Sequence, residues 1–264
     1  KELLGNVMIS KDSIDLRTNR AILFSNEDKL ELFGDIFMIT PSDTLMCDSL
    51  YYFSSIHEHI IAAGNVNFKK ADRTLNSDSL FYWLEIDSVL AVGNVKLKDN
   101  ISILTSKYFR YWKDNGLHGY SFEALNNVEL NSGASILHGD RIRYKDALQK
   151  LIIKSKEDEK AYILNKNQRV YGREIIVQLQ DSIIQNISIT GRPIVYSSLF
   201  SKSHIDSVAV NFEDQMHGKE IFINYDKNKP QRIIINGMAN SKYHIVDDSL
   251  VQGYNDVTGD TIRV

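Results

Sequence analysis

The chain of 264 residues has one cysteine, three prolines and no apolar run approaching the roughly 18–20 residues that span a bilayer. A lone Cys47 permits no internal disulfide, which excludes a small domain stapled by disulfides. Its neighbour Asp48 is acidic and no basic residue adjoins it, so the thiol reads as buried and inert. Scarce proline, with 14 glycines, excludes collagen-like and proline-rich linker sequences. An excess of one charge is also lacking. The 31 Lys and Arg against 34 Asp and Glu leave a net charge of −3, which gives no general drive toward nucleic acid. A hydrophobic content of 43% excludes intrinsic disorder. Signatures of catalysis are missing as well: no G-x-S-x-G, P-loop, H-E-x-x-H or G-x-G-x-x-G occurs. No leader is recognisable, but the chain opens at Lys1 and runs almost at once into Gly5-Asn6-Val7, as a trimmed start would, so this says nothing about secretion.

What the sequence does contain is a repeat. Gly5-Asn6-Val7, Gly34-Asp35-Ile36, Gly64-Asn65-Val66, Gly93-Asn94-Val95 and Asn126-Asn127-Val128 follow one another at steps of 29, 30, 29 and 33 residues. A second motif accompanies the first. Asp48-Ser49-Leu50-Tyr51-Tyr52 matches Asp78-Ser79-Leu80-Phe81-Tyr82, with looser copies beginning at Lys107 and Asp140, each 14 residues after its own glycine-column residue. Beyond residue 150 the pattern loosens. Arg173, Lys219 and Asp260 continue the second motif and Gly191 and Gly237 the first, with insertions around 197–214 and 242–254. The expected organisation is one elongated repeat domain over 1–264, regular over 5–150 and looser over 151–264.

Within each repeat, short runs alternate apolar and polar residues with period two, as strands do. Turn clusters separate them: Lys70-Ala71-Asp72-Arg73, Lys98-Asp99-Asn100, Lys113-Asp114-Asn115-Gly116 and Asp226-Lys227-Asn228-Lys229-Pro230. Segment 155–162 is the most helix-like by composition, yet it falls on the repeat and reads as a charged hairpin turn. Glycine ahead of a strand permits positive φ, a bulge or close backbone approach, and Asn126 is the best-tolerated substitute, so this column marks a recurrent corner where the chain turns into the sheet. A 30-residue unit cannot bury its apolar face alone and must stack on its neighbours. It is also too short for a propeller blade of about 40–45 residues. A parallel β-helix remains possible, but the turn spacing favours an all-β, folded antiparallel stack of two facing sheets, each repeat adding a rung.

The recurring G-N-V followed by D-S-L-Y-Y resembles the OstA/LptA-like family of lipopolysaccharide-transport proteins, in the form found in Bacteroidetes-type bacteria. The segments 45–52 and 75–82 are its most typical stretches, and the clear resemblance covers about residues 5–145. The resemblance implies a β-jellyroll folded like a taco, a periplasmic location, acyl chains of lipopolysaccharide or another acylated lipid held between the sheets, no cofactor, and like domains joined end to end through edge strands. The inward residues expected to line the trough are Val66, Phe68, Leu80, Tyr82, Val95, Leu97, Phe109, Tyr111, Val128, Leu130, Ile142 and Tyr144.

Plainer readings stand beside this one. All twelve residues are ordinary core residues, so the same scaffold with a filled core, recognising a protein through its edge strands, is the alternative. A β-solenoid enzyme acting on polysaccharide is a third reading, but Asp48 and Asp78 recur at equivalent positions, as structural residues do and a catalytic pair does not. Arg110, Arg141 and Arg143 alternate with the inward residues and face outward, where they serve as a solvated surface or meet lipid phosphates at a rim. Interleaved rings and bases suggest single-stranded nucleic acid, which the net charge argues against. His57 and His59, with His118 and His138 further along, read as surface histidines, and no metal is expected.

Overall fold

A computed structural model of the chain describes all residues except 12, 55–56, 115–118, 204–208, 227–228 and 248–249, and of 11, 199–203 and 209–210 it describes the backbone only. Parts of two expected turns (Asn115-Gly116 and Lys227-Asn228), the tips of both insertions, and His118 therefore lie outside the described residues. The chain divides into two compact units, Lys1–Ser132 and Gly133–Val264. Both are all-β and antiparallel in plan, and no α-helix occurs among the described residues.

The first unit is a meander of nine strands: β1 (Glu2–Lys11), β2 (Ile14–Phe24), β3 (Lys29–Ile39), β4 (Asp43–Phe53), β5 (His59–Lys70), β6 (Arg73–Trp83), β7 (Ser88–Lys98), β8 (Ile103–Lys113) and β9 (Tyr120–Asn131). Each pairs antiparallel with the next. A 30-residue repeat is thus two long strands, not several short ones, and adds two strands to each layer where one rung was expected.

The glycine column lies inside the strands rather than ahead of them. Gly34-Asp35, Gly64-Asn65 and Gly93-Asn94 fall between the register shifts of β3, β5 and β7, where two residues oppose one on the following strand: Asp48, Asp78 and Lys107. The glycines have φ of 79°, 75° and 78°, and the residues after them φ of 48°, 47° and 45°. Two successive left-handed residues turn the strand through its own middle. Glycine is required at the first where space is short: on Gly64 or Gly93 a Cβ would collide with the carboxylate of Asp48 or Asp78, whereas β9 places Asn126 there at a φ of 67°. Asn tolerates the second position, and its amide ties back across the corner: Asn65 Nδ2 donates to Asp48 at 2.9 Å and Asn94 Nδ2 to Asp78 at 3.0 Å. The 14-residue offset between the two motifs is therefore the return path from one side of a corner to the other.

Folding over at the corner is visible in the contacts. Phe68 is registered opposite Leu75, seven residues before Tyr82 on β6. In a straight strand that separation exceeds about 20 Å, yet the rings of Phe68 and Tyr82 lie 5.4 Å apart. The two halves of each strand therefore face one another, and the apolar sets on both halves meet between them. Leu32, Leu45, Leu50, Ile60, Ala62 and Leu80 are fully buried there.

One further slot belongs to the corner. The residue before the opposing column is Thr18, Cys47, Ser77 or Ser106, and all four are buried. Thr18 Oγ1 donates to the Phe33 carbonyl at 2.9 Å, Ser77 Oγ to that of Ser79 and Ser106 Oγ to that of Tyr108, both at 3.0 Å. These hydroxyls satisfy carbonyls at the interrupted ladder. Cys47 occupies the same slot, which accounts for the single cysteine.

The second unit repeats this plan with breaks. Its strands are β10 (Ser135–Lys145), β11 (Lys150–Lys154), β12 (Ala161–Asn165), β13 (Gln168–Gly172), β14 (Glu174–Gln180), β15 (Ile183–Thr190), β16 (Ile194–Ser203), β17 (Ala209–His217), β18 (Glu220–Asp226), β19 (Lys229–Asp247) and β20 (Leu250–Arg263). One layer runs β11–β14–β15–β18 and the other β12–β13–β16–β17. β10 joins both, pairing with β12 by its first half and β11 by its second. β19 does likewise with β18 and β17. Segment 155–160 is consequently not a hairpin turn: it links β11 to β12 across the corner, and Lys156 pairs there with Asp140 at 2.9 Å. The insertions extend the β16–β17 and β19–β20 hairpins, which touch through a short parallel pairing of Lys202-Ser203 with Leu250-Val251.

Three substitutions test the corner. Gly5→Ala, at a φ of 83° with open space around it, should cost about 1–2 kcal/mol from backbone strain alone. Gly64→Ala should cost about 3 kcal/mol because Asp48 must also move. Cys47→Ser should stay within about 1 kcal/mol of wild type, since its slot already accepts hydroxyls elsewhere. Urea denaturation midpoints check all three, and equal losses for the two glycines would contradict the assigned role of Asp48.

Candidate functional site: the folded interior and its mouth

The inward face follows a simple rule. In the bulged strands the period of two runs through the corner, as in Ile60, Ala62, Val66 and Phe68; in the opposing strands it skips once, as in Leu75, Ser77, Leu80 and Tyr82. Of the twelve expected lining residues, Val66, Phe68, Leu80, Tyr82, Val95, Phe109 and Val128 in the first unit and Ile142 in the second are buried. Leu97, Tyr111 and Leu130 in the first and Tyr144 in the second are half-buried. Tyr144 donates to Asp146 at 2.9 Å; burial, then that carboxylate, pushes its hydroxyl up to about 12. Two surface hollows of the second unit, about 560 and 460 Å³, are lined by mostly polar residues such as Lys160, Arg169 and Arg192 and include none of the twelve.

Opposite the corner, the free margins of the two layers are laced by a polar cluster that sequence reasoning missed. Asp87, in the turn between β6 and β7, accepts hydrogen bonds from Lys70 Nζ (2.6 Å), Tyr120 (3.0 Å), Tyr111 (3.1 Å) and Tyr82 (3.3 Å). Lys70 ends β5 on one margin, and Asp87 belongs to the other. Burial pushes the Asp87 carboxyl upward, but Lys70 and the Tyr120 and Tyr111 hydroxyls outweigh it and hold the group below its usual range. Burial, then the Asp87 charge, drives the Tyr82 and Tyr111 hydroxyls far above theirs. The available signal was parity: Lys70 continues the inward series of Val66 and Phe68, and Asp43 begins that of Leu45 and Cys47. Both sit in turn-like sequence, which reads as solvated.

The remaining candidates are dispersed. Burial, then the Asp48 charge, raises the Cys47 thiol to about 12, so no thiolate forms near neutrality. Arg110 is exposed, its guanidinium over the Trp112 ring at 5.4 Å, while Arg141 and Arg143 are half-buried. His57 lies 3.9 Å from Glu85, whereas the His59 ring stacks on Phe53 at 4.6 Å. His138, in the second unit, stacks on Tyr162 at 4.8 Å. No group of three or more His, Cys, Asp or Glu able to hold a metal occurs among the described residues. Asp48 and Asp78 spend their carboxylates on the corner amides, as structural residues.

With this geometry in hand, the family comparison is informative. Residues 1–115 match the family model described as OstA-like protein. Over these residues, under half of the chain, the sequence is similar to that family. The match spans the corners from Gly5 to Gly93. A search of curated proteins returned no match. Among solved structures, the crystal structure of LptH, the LptA homologous periplasmic component of the conserved lipopolysaccharide transport device from Pseudomonas aeruginosa, aligns with 67% of this chain and 82% of its own. The identity is 11% and the TM-score 0.18. Among the described residues, no helix is long and apolar enough to cross a membrane.

The Asp87 cluster has a pH signature. Because its folded pKa is depressed, the cluster's contribution is fully present above the unfolded carboxylate value and is lost as pH falls through the folded one. The melting-temperature gap between wild type and Asp87→Asn should be constant from about pH 5 upward and narrow below about pH 4. A gap that persists into stronger acid would contradict the role given to the Asp87 charge.

Proposed function

We propose that the protein binds acyl chains of lipopolysaccharide or another acylated lipid between its facing layers, in the periplasm, and passes them to like domains joined through edge strands. The observation that supports this most is the inward apolar lining, carried through the corners at Gly34, Gly64 and Gly93 on both halves of each strand. Burying an acyl chain there is favourable by about 0.8 kcal/mol per methylene. Edge pairing has its own support. Among the described residues β1 pairs with β2 alone, and its Leu4 and Met8 are 74% and 70% exposed, so backbone donors and acceptors coincide with apolar side chains. No catalytic step, cofactor or nucleic acid enters this reading.

A second reading has an observation of its own. Val66, Phe68, Leu80, Val95, Phe109 and Val128 are buried by the protein's own residues, as in a filled scaffold that acts only through its edges. Delipidation and rebinding distinguishes the two. Protein stripped with organic solvent or detergent and refolded should bind fluorescent lipopolysaccharide saturably at micromolar concentration, and mass spectrometry of organic extracts from the purified protein should return an acylated lipid. No saturable binding, with a clean extract, would leave the scaffold.

A further inference from the structure

Asp43 opens β4 and shares its inward face with Leu45 and Cys47. It is only 6% exposed. Its Oδ1 has no hydrogen-bond partner among the described residues, and its Oδ2 meets only the Tyr82 hydroxyl, at 3.4 Å. The cation registered directly across the strand, Lys70, turns away to Asp87 at 2.6 Å. Tyr82 is itself divided between the two carboxylates, 3.3 Å from Asp87. A buried carboxylate oxygen left without a donor is costly, and native structures rarely keep one without a reason.

Position says what the missing donor belongs to. Leu45 and Phe68 are cross-strand partners one step deeper, and beyond them the lining is apolar. Outward lies the polar cluster of Asp87. Asp43 thus marks the boundary where a chain buried against Leu45 and Phe68 would present its first polar atoms. Lys70, the cation across the strand, is taken by Asp87, and the polar groups nearest the buried end of an acylated lipid are hydroxyls and amide N–H groups. Resting on the lipid-binding reading above, we propose that Asp43 Oδ1 accepts a hydrogen bond from a hydroxyl or amide N–H near the head end of the bound acyl chain. The interior would thereby select hydroxylated or amide-linked chains over plain ones.

The test titrates the delipidated full chain with 3-hydroxytetradecanoic acid and with tetradecanoic acid, which share length and carboxylate. Wild type should bind the hydroxylated acid about tenfold more tightly, the size of one hydrogen bond. Asp43→Leu should bring the ratio to about one while leaving the plain acid bound, which also shows that the variant is folded. If that variant does not fold, the near-isosteric Asp43→Asn serves, with the ratio expected to fall at least about threefold. Equal affinities in wild type, or an unchanged ratio in the variants, would overturn the assignment of Asp43 while leaving lipid binding intact. Failure of wild type to bind either acid would instead overturn the lipid-binding reading and this inference with it.

Discussion

A strand that serves two facing layers has to reverse through its own middle without abandoning its ladder. In the first unit that constraint is met by a pair of left-handed residues opposing a single residue on the next strand. Glycine comes first because a Cβ there would occupy the space of the column carboxylate, as Gly64 and Asp48 show. Asn or Asp comes second, where a short polar side chain tolerates positive φ. A hydroxyl before the column residue then donates to a carbonyl at the broken register, and the buried Cys47 takes the same slot in β4. The same bulge decides which residues face inward, because it carries the period of two through one strand and shifts it by one in the other. Corner chemistry and interior lining are therefore one pattern.

The corner is covalent and the mouth is not. Each strand is folded once, so the layers cannot part at the bulges, whereas at the opposite margins only side chains hold them. In the first unit Lys70 on Asp87 and Tyr82 on Asp43 reach across, while Tyr111 and Tyr120 hold Asp87 from its own margin. Separating those margins requires losing that charged pair and that hydrogen bond, each worth about 1–3 kcal/mol net. The apolar lining is neutral in this contest if a lipid takes over its contacts. A filled interior and a loaded interior can thus be two states of one architecture, with the polar margin as the element that differs.

Much of this was legible because the corner recurs. Gly34, Gly64 and Gly93 announce the period, and Asp48 and Asp78 announce the return path. What the period did not reveal was where the corner sits: a glycine before Val66 reads as a strand's beginning, although β5 runs from His59 to Lys70 through it. Segment 155–160 misled for a related reason, since a charged, turn-like stretch looks the same between antiparallel strands as it does across a corner. The margin was invisible because Asp43, Lys70, Asp87 and Tyr120 meet only after three strands have been folded double. No local window contains two of them on a shared face.

The second unit shows that the corner can be built by other means. Its column positions include Arg173 and Lys219, and the residues after Gly191 and Gly237 are Arg192 and Met238, so at these two bulges, among the described residues, no carboxylate meets an amide. Backbone bonds take over: Arg173 N–H and Lys219 N–H each donate at 2.8 Å, to the carbonyls of Thr190 and Asn236. The slot held by Thr18, Cys47, Ser77 and Ser106 becomes glycine at 139, 172 and 218, where a Cβ would collide with Ile153, Ile189 or Ile235 on the neighbouring strand. Close strand approach has replaced the hydroxyl. The left-handed glycines persist, with φ of 79° at Gly191 and 73° at Gly237. A family match that reads residues is bound to fade where the corner changes its chemistry, and this one ends at 115. The folded strand continues beyond that point because the turn needs only left-handed backbone and a satisfied ladder, and both conditions are met again without the motif.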